Sequence, residues 1–345
     1  VEVSAKMKTI FVVDDNDVNL LTAESSLAKH YRVFTLPSAA AMLELLEEII
    51  PDLILLDILM PGTNGFDAMK MLRADARYDG IPVIFLTSRN DSTTEALGFE
   101  MGASDFISKP FSEPVLLNRI KFHLKIEDII RKRTENLKKL RDSIVGTLAN
   151  VVEKRDTMTG EHIERTTRYI KMLMVAMKER GVYSEEMKGW DLETVASSAR
   201  LHDVGKIVIP DSILNKPGKL EPEEFDVIKT HPLEGEKIIG EIQRDSGDEA
   251  FLQSAKLFAL YHHERWDGKG YPYALKGEEI PLYGRIMAIV DVYDALTSDR
   301  PYKKAFTHED SIKIITESKG SHFDPQITDV FLEISDKFAE EALCL

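Results

Sequence analysis

Nine histidines occur in the 345 residues, and five of them have neighbours that could make them metal ligands. His202 and Asp203 are adjacent in ARLHDVGKI, and His262 and His263 are adjacent in YHHERWDGKGYP. His231 opens HPLEG, His162 lies in TGEHIERTTRY, and Asp291 lies in IMAIVDVYDALTSDRPYKKAF. A neighbouring His-Asp pair can hold one cation with the imidazole and bridge to a second with the carboxylate. Imidazole and carboxylate together suit Fe, Mn, Ni or Zn. Two such cations can clamp an in-line phosphoryl displacement, because they neutralise a phosphodiester and generate hydroxide at neutral pH. A lone histidine is more often an ordinary core or surface residue, and His30, His123, His308 and His322 are read that way. The two vicinal dyads differ. Inside apolar helical segments they would bury several polar groups without partners, a cost that bound metal removes.

A second set of residues stands apart from the first. Asp14 and Asp15 follow one apolar run, Asp57 ends another, Thr87 ends a third, and Lys109 follows a fourth, before Pro110. Carboxylates brought side by side repel one another and call for a hard divalent cation such as Mg²⁺. An aspartate beside that cation can attack a phosphoryl donor. A hydroxyl and an ammonium can then hold the acquired phosphoryl oxygens. Strand-end aspartates also serve as helix caps, which would account for Asp14 or Asp15 singly but not for the whole set.

These residues need elements to position them. KTIFVV (8–13), YRVFTL (31–36), DLILLD (52–57), IPVIFLT (81–87) and DFIS (105–108) are short, β-branched or aromatic, and bounded by turn residues. Helical patterns separate them, as from Val18 to Ala28 and from Ala39 to Ile49. Strands alternating with helices predict a five-stranded parallel sheet in a doubly wound α/β domain, with ligands at the carboxyl ends of the strands. From Ser112 the pattern is helical to the end, with Ser112 as N-cap and Pro114 in the first turn. Ile130, Leu137, Ile144 and Val151 recur every seven residues, with Leu140 and Leu148 between them. This short heptad seam reads either as one amphipathic helix packed on its own domain or as a connector that pairs two subunits.

Composition bounds the rest. The length suits two domains and a connector, and 43% hydrophobic residues allow each a core. The first six residues, VEVSAK, are given no structural role. No run approaches a membrane span of about 20 apolar residues, and no secretory leader opens the sequence. The single cysteine, Cys344, excludes an intrachain disulfide and fits a reducing, cytoplasmic setting. A net charge of −15 argues against a nucleic-acid duplex or an anionic membrane as the main partner.

VVDDN, DILMPGTNG, FLTS and DFISKPF resemble the receiver domains of response regulators over residues 7–127. The resemblance implies the flavodoxin-like order of this fold and a sensor histidine kinase as partner. It also implies phosphorylation of Asp57, Mg²⁺ held by Asp14, Asp15 and the Ile58 carbonyl, contacts from Lys109, and switching through Thr87 and Phe106. At Phe106 the family keeps an aromatic that turns inward on phosphorylation.

HDVGK (202–206), LNKPGKL (214–220), HHERWDGKGYP (262–272) and HFDP (322–325) resemble the HD-GYP branch of the HD metal-dependent phosphohydrolases over residues 145–335. This implies an all-α domain that hydrolyses cyclic di-GMP to pGpG or GMP. It also implies one metal held by His162, His202, Asp203 and Asp291, and another held by His231, His262 and His263 with Asp203 bridging. Iron is the first expectation, with Mn, Ni or Zn as alternatives. Lys206, one helical turn from His202, is expected to protonate the leaving oxygen or bind phosphate. Arg300 and Lys303 are candidates for the ligand phosphates and Tyr271 for a guanine or phosphate. Gly268, Gly270 and Pro272 shape the loop, and Glu264 and Asp267 are expected to orient ligands. Some members of the branch place a glutamate four residues before the first histidine and bind a third metal. Here that position is Met158, a poor ligand in such a site, so two metals are expected; Asp156 is the nearby alternative. The expected organisation is a receiver domain (1–127), a helical linker (128–150) and the HD-GYP domain (151–345). Two other readings stay open: an HD hydrolase of another cyclic dinucleotide or nucleotide, and a non-catalytic output domain that senses a ligand or docks a partner.

Overall fold

The computed structural model describes residues 7–88, 92–155, 161–245, 249–299 and 304–342. Its five strands are β1 (Thr9–Val13), β2 (Arg32–Leu36), β3 (Leu53–Asp57), β4 (Val83–Thr87) and β5 (Asp105–Ser108), all inside the expected runs. They pair in parallel in the order β2-β1-β3-β4-β5. Every residue of β1, β3 and β4 is buried, as expected of parallel strands covered on both faces. The covering helices are α1 (Asp17–Leu27), α2 (Ala39–Leu46), α3 (Gly65–Ala74) and α4 (Ser92–Glu100). Local chemistry starts several of them: the Asn16 side chain accepts from the N–H groups of Val18 and Asn19, and Ser38 accepts from Ala41 N–H.

One helix, α5 (Glu113–Arg155), follows the sheet and contains the whole 128–150 interval. The chain divides into two compact units between Leu137 and Lys138, within this helix. Leu116, Leu117, Ile120 and Leu124 of α5 pack into the core of the first unit. Val145 and Val152 belong to a core of the second.

The second unit is helical, with no strand of a sheet among its described residues. Its helices are α6 (Glu161–Glu179), α7 (Leu192–Ser198), α8 (Asp211–Leu214), α9 (Pro222–Ile228), α10 (His231–Asp245), α11 (Glu249–Tyr261), α12 (Leu282–Thr297), α13 (His308–Glu317) and α14 (Pro325–Ala342). Tyr169, Phe258, Ile286, Tyr293, Phe331 and Phe338 lie at the heart of its larger core. The sequence led us to expect the two vicinal dyads inside helices, and the structure corrects this. His202 and Asp203 fall between two short 3₁₀ stretches, Ala199–Leu201 and Val204–Val208. His262 and His263 lie just past the end of α11. The tighter winding brings Gly205 against the start of α10, where a Cβ would lie 1.9 Å from the His231 carbonyl oxygen. Only glycine lets the two backbones approach so closely.

Candidate functional site

In the first unit the expected residues converge at the carboxyl ends of the strands, at the β1/β3 switch point. Asp14 and Asp57 are buried and Asp15 is exposed, and ligand atoms of all three lie within 4.8 Å of one another. Lys109 Nζ lies 2.6 Å from Asp14 Oδ2 and 2.8 Å from Asp57 Oδ1. Asp14 is fixed in turn by Asn19, whose Nδ2 donates to it at 3.0 Å. The Ile58 carbonyl accepts from Gly65 N–H at 3.0 Å. Burial pushes the Asp57 carboxyl up and outweighs the opposing pull of Lys109. Thr87 is buried at the end of β4. Phe106 points inward, with its ring centroid 5.5 Å from that of Phe85 and 5.0 Å from that of Phe99.

In the second unit, five helical or near-helical segments bring two groups of donors together. One group is Asp203, His231, His262 and His263, and the other is His162, His202 and Asp291. Asp203 lies between them. Its Oδ1 is 3.2 Å from His231 Nε2 and 3.5 Å from His262 Nε2, while its Oδ2 is 3.4 Å from His202 Nε2. The histidine orientations are set from behind. Nδ1 of His202 donates to the Ala199 carbonyl at 2.9 Å, Nδ1 of His231 to Ile228 at 2.8 Å, and Nδ1 of His262 to Ala259 at 2.9 Å. His162 Nδ1 donates to Asp294 Oδ2 at 2.6 Å. Each ring therefore aims its Nε2 inward, where a bound cation would take the place of any proton on it, and keeps its Nδ1–H, as metal ligation requires.

The electrostatics are those of a site waiting for positive charge. His231 Nε2 and His262 Nε2 face each other at 3.2 Å. Burial, with the adjoining imidazoles, holds His263 well below the usual histidine range. Burial raises the Asp203 carboxyl, but Lys206 and His202 outweigh it and hold the group well below the usual carboxylate range. Burial lowers His202, but Asp203, Asp291 and Glu153 outweigh it and push the ring up to about 9. His162 Nε2, His202 Nε2 and Asp203 Oδ1 are buried with no hydrogen-bond partner among the described residues. Buried polar atoms left this way cost on the order of 1–3 kcal/mol each. A cation within each group would satisfy them, so the residues present fit a dinuclear site.

Other expected residues fall into place unevenly. Lys206 Nζ pairs with Asp203 Oδ2 at 2.8 Å, although a 3₁₀ stretch rather than an α-turn carries it there. The Tyr271 ring lies over His263, with centroids 4.6 Å apart, and burial pushes its phenol well above the usual range. Glu264 does not orient the metal-site histidines. It is buried, and its carboxylate accepts from the N–H groups of Tyr273 and Leu275, so it holds the loop instead. Asp267 likewise pairs with Arg265 and the Lys269 N–H. Arg300, Lys303, Met158 and Asp156 lie outside the described residues.

Two residues at the site went unread in the sequence. Asp294 is buried, orients His162, and is itself held by Arg165 Nε at 2.6 Å. Its signal was there: three residues beyond Asp291 on one helix, it must share that face. Glu153 is the other. It is 5% exposed, and burial pushes its carboxyl up to about 7.

The fold and the two sites define a receiver domain followed by an HD-type metallohydrolase domain. A profile of the response regulator receiver domain matches residues 10–121, and one of the HD domain matches residues 126–327. A Vibrio cholerae protein named "Probable cyclic di-GMP phosphodiesterase" is 39% identical over 355 residues, spanning 96% of this chain and 80% of its own. A Xanthomonas campestris protein named "Cyclic di-GMP phosphodiesterase response regulator RpfG" is 37% identical over 291 residues, spanning 81% of this chain and 75% of its own. A Vibrio cholerae protein named "3'3'-cGAMP-specific phosphodiesterase 2" is 38% identical over 203 residues, spanning 59% of this chain and 36% of its own. The chain belongs to the response regulators that join a receiver domain to an HD domain of the HD-GYP branch. No described helix is long and apolar enough to cross a membrane.

Proposed function

We propose that this protein is a response regulator whose output domain hydrolyses cyclic di-GMP to pGpG or GMP, under the control of phosphorylation at Asp57. The observation that carries the reading is Asp203, whose two carboxylate oxygens face two separate groups of inward-turned imidazoles. His162, His202, Asp203 and Asp291 would hold one divalent cation, and His231, His262 and His263 the other, with Asp203 between them. Bound there, two cations supply charge for the phosphodiester and acidity for the attacking water. Iron is the metal proposed, with Mn, Ni or Zn compatible with the same donors.

The chain's own residues do the rest. In hydrolysis the water oxygen bonds to phosphorus, and the sugar oxygen leaves and takes up a proton. The Lys206 ammonium, paired with Asp203, would give that proton or bind a phosphate oxygen. Tyr271 presents a neutral phenol beside His263 for the nucleotide. Arg300 and Lys303 are proposed for the remaining phosphate charge. In the receiver domain, Asp14, Asp15 and the Ile58 carbonyl would hold Mg²⁺. Asp57 would take the phosphoryl group from a sensor kinase, and Lys109 and Thr87 would bind its oxygens. The proposed setting is the cytoplasm, with pairing of two copies through α5.

The cGAMP-specific relative supports a second reading, in which the substrate is a mixed cyclic dinucleotide. The deciding experiment loads the protein with iron or manganese without oxygen, offers cyclic di-GMP and 3'3'-cGAMP separately, and resolves the products by chromatography. Hydrolysis of cyclic di-GMP at the higher kcat/KM is expected. Preference for cGAMP would favour the second reading, and no hydrolysis with Fe, Mn, Ni or Zn would overturn both.

A further inference from the structure

We propose that Glu153 is a metal ligand, supplying a carboxylate to the cation that His162 would hold. This rests on the metal-centre reading above and adds a donor that no motif marks. Glu153 stands in the last turn of α5 and is 5% exposed. Among the described residues, neither of its carboxylate oxygens has a hydrogen-bond partner. Its Oε1 lies 3.5 Å from His162 Nε2, the same inward-turned nitrogen that is 3.7 Å from Asp291 Oδ1. Nitrogen and oxygen ligands sit about 2.1 Å from a divalent cation, which puts two donors on one ion about 3 to 4 Å apart. Both spacings fall in that range.

The alternative is a structural glutamate, and the surroundings do not support it. A buried carboxyl kept for stability would be hydrogen-bonded, whether charged or neutral. Packing and hydrogen bonds also hold Glu153 in place. Val152 and Ala149 are buried beside it. Two residues on, Arg155 donates to the carbonyls of Ile207 at 2.6 Å and Ile209 at 3.1 Å, and pairs with Asp211 at 2.7 Å. These contacts pin the end of α5 to the segment just beyond His202 and Asp203. A carboxylate held this firmly, buried and unpartnered beside metal-type donors, is organised for a cation.

The test uses the full chain carrying Glu153→Gln, Glu153→Leu or, as control, His231→Ala. Metal per chain is measured by elemental analysis, affinity by competition with a chelator, and melting temperature with and without metal. Glu153→Gln keeps the shape and removes the charge. It should lower the affinity for one of the two cations at least tenfold and shrink the metal-induced rise in Tm. The metal-free Tm should stay level or rise, because an unpartnered buried carboxylate is gone. Wild-type metal content and affinity in Glu153→Gln, or a drop in metal-free Tm with metal binding intact, would overturn the inference. Glu153→Leu should retain less metal than Glu153→Gln, and equal retention at the wild-type level counts against the ligand role. Unchanged metal content in His231→Ala would instead overturn the metal-centre reading itself.

Discussion

At the scale of the residue, the metal centre depends on groups that touch no substrate. Asp294 holds His162 Nδ1 and is braced by Arg165. Such partners fix the tautomer and raise the basicity of the ring, and losing one costs about 10–100-fold in metal affinity. Asp294→Asn should therefore lower metal affinity by that factor and reduce kcat with little change in KM, as chelator titration and steady-state kinetics would show. His322 offers a separate check on the protein's acid stability. Burial, with Arg265 nearby, pulls its pKa down to about 4 from a usual value of 6.5. Between those values the unfolded chain binds the extra proton and the folded chain does not, so stability falls as pH drops from 6.5 to 4. The loss is on the order of 2 kcal/mol after allowance for partial exposure. It should appear as a difference between wild type and His322→Gln in denaturant midpoints across that window and vanish above it. The vicinal dyads were legible because adjacent ligand types are rare in apolar surroundings. Glu153 was not, because it lies nine positions before His162 and only the folded end of α5 brings it near.

At the scale of the element, the strands were legible because burial on both faces selects short, continuous β-branched runs, and turn residues bound them. The 3₁₀ winding around His202 and Asp203 was not legible. Helical and 3₁₀ patterns share apolar spacing over so few residues, and it is the contact of Gly205 with α10 that the tighter winding accommodates. A similar constraint governs the Phe106 ring. Gly98 lies in α4 with the Phe106 ring against it, and a Cβ there would come 2.3 Å from Phe106 Cζ. Gly98→Ala should force the ring away from its inward position and destabilise the receiver by about 1–3 kcal/mol, as overpacking does. Leucine lacks the Cζ atom, so the double substitution Gly98→Ala with Phe106→Leu should cost less than the two single changes added together. Denaturation of the four proteins in a double-mutant cycle would measure this. Strict additivity would mean that Gly98 does not set the ring's position.

At the scale of the whole molecule, α5 is the one described element that enters the core of both units. Its first turns carry Leu116 and Ile120 into the receiver core, and its last turn carries Glu153 to the metal centre. Ile130, Leu137, Ile144 and Val151 along it are exposed. A helix transmits rotation and displacement only while its register is kept. Each inserted residue rotates the C-terminal remainder of the helix by about 100°, so two residues rotate it by about 200° while seven return it to within about 20°. Insertions after Arg133 should therefore separate control from chemistry. Basal hydrolysis should survive both insertions, because the metal donors and the core around them lie beyond the insertion point. The change in turnover on adding a phosphoryl-donor mimic should persist with seven inserted residues and disappear with two, as it should in Asp57→Asn. Turnover assays on these proteins, with sedimentation to follow pairing, would decide the matter. Equal control in both insertion variants would mean that the signal reaches the metal centre by a route other than the register of α5.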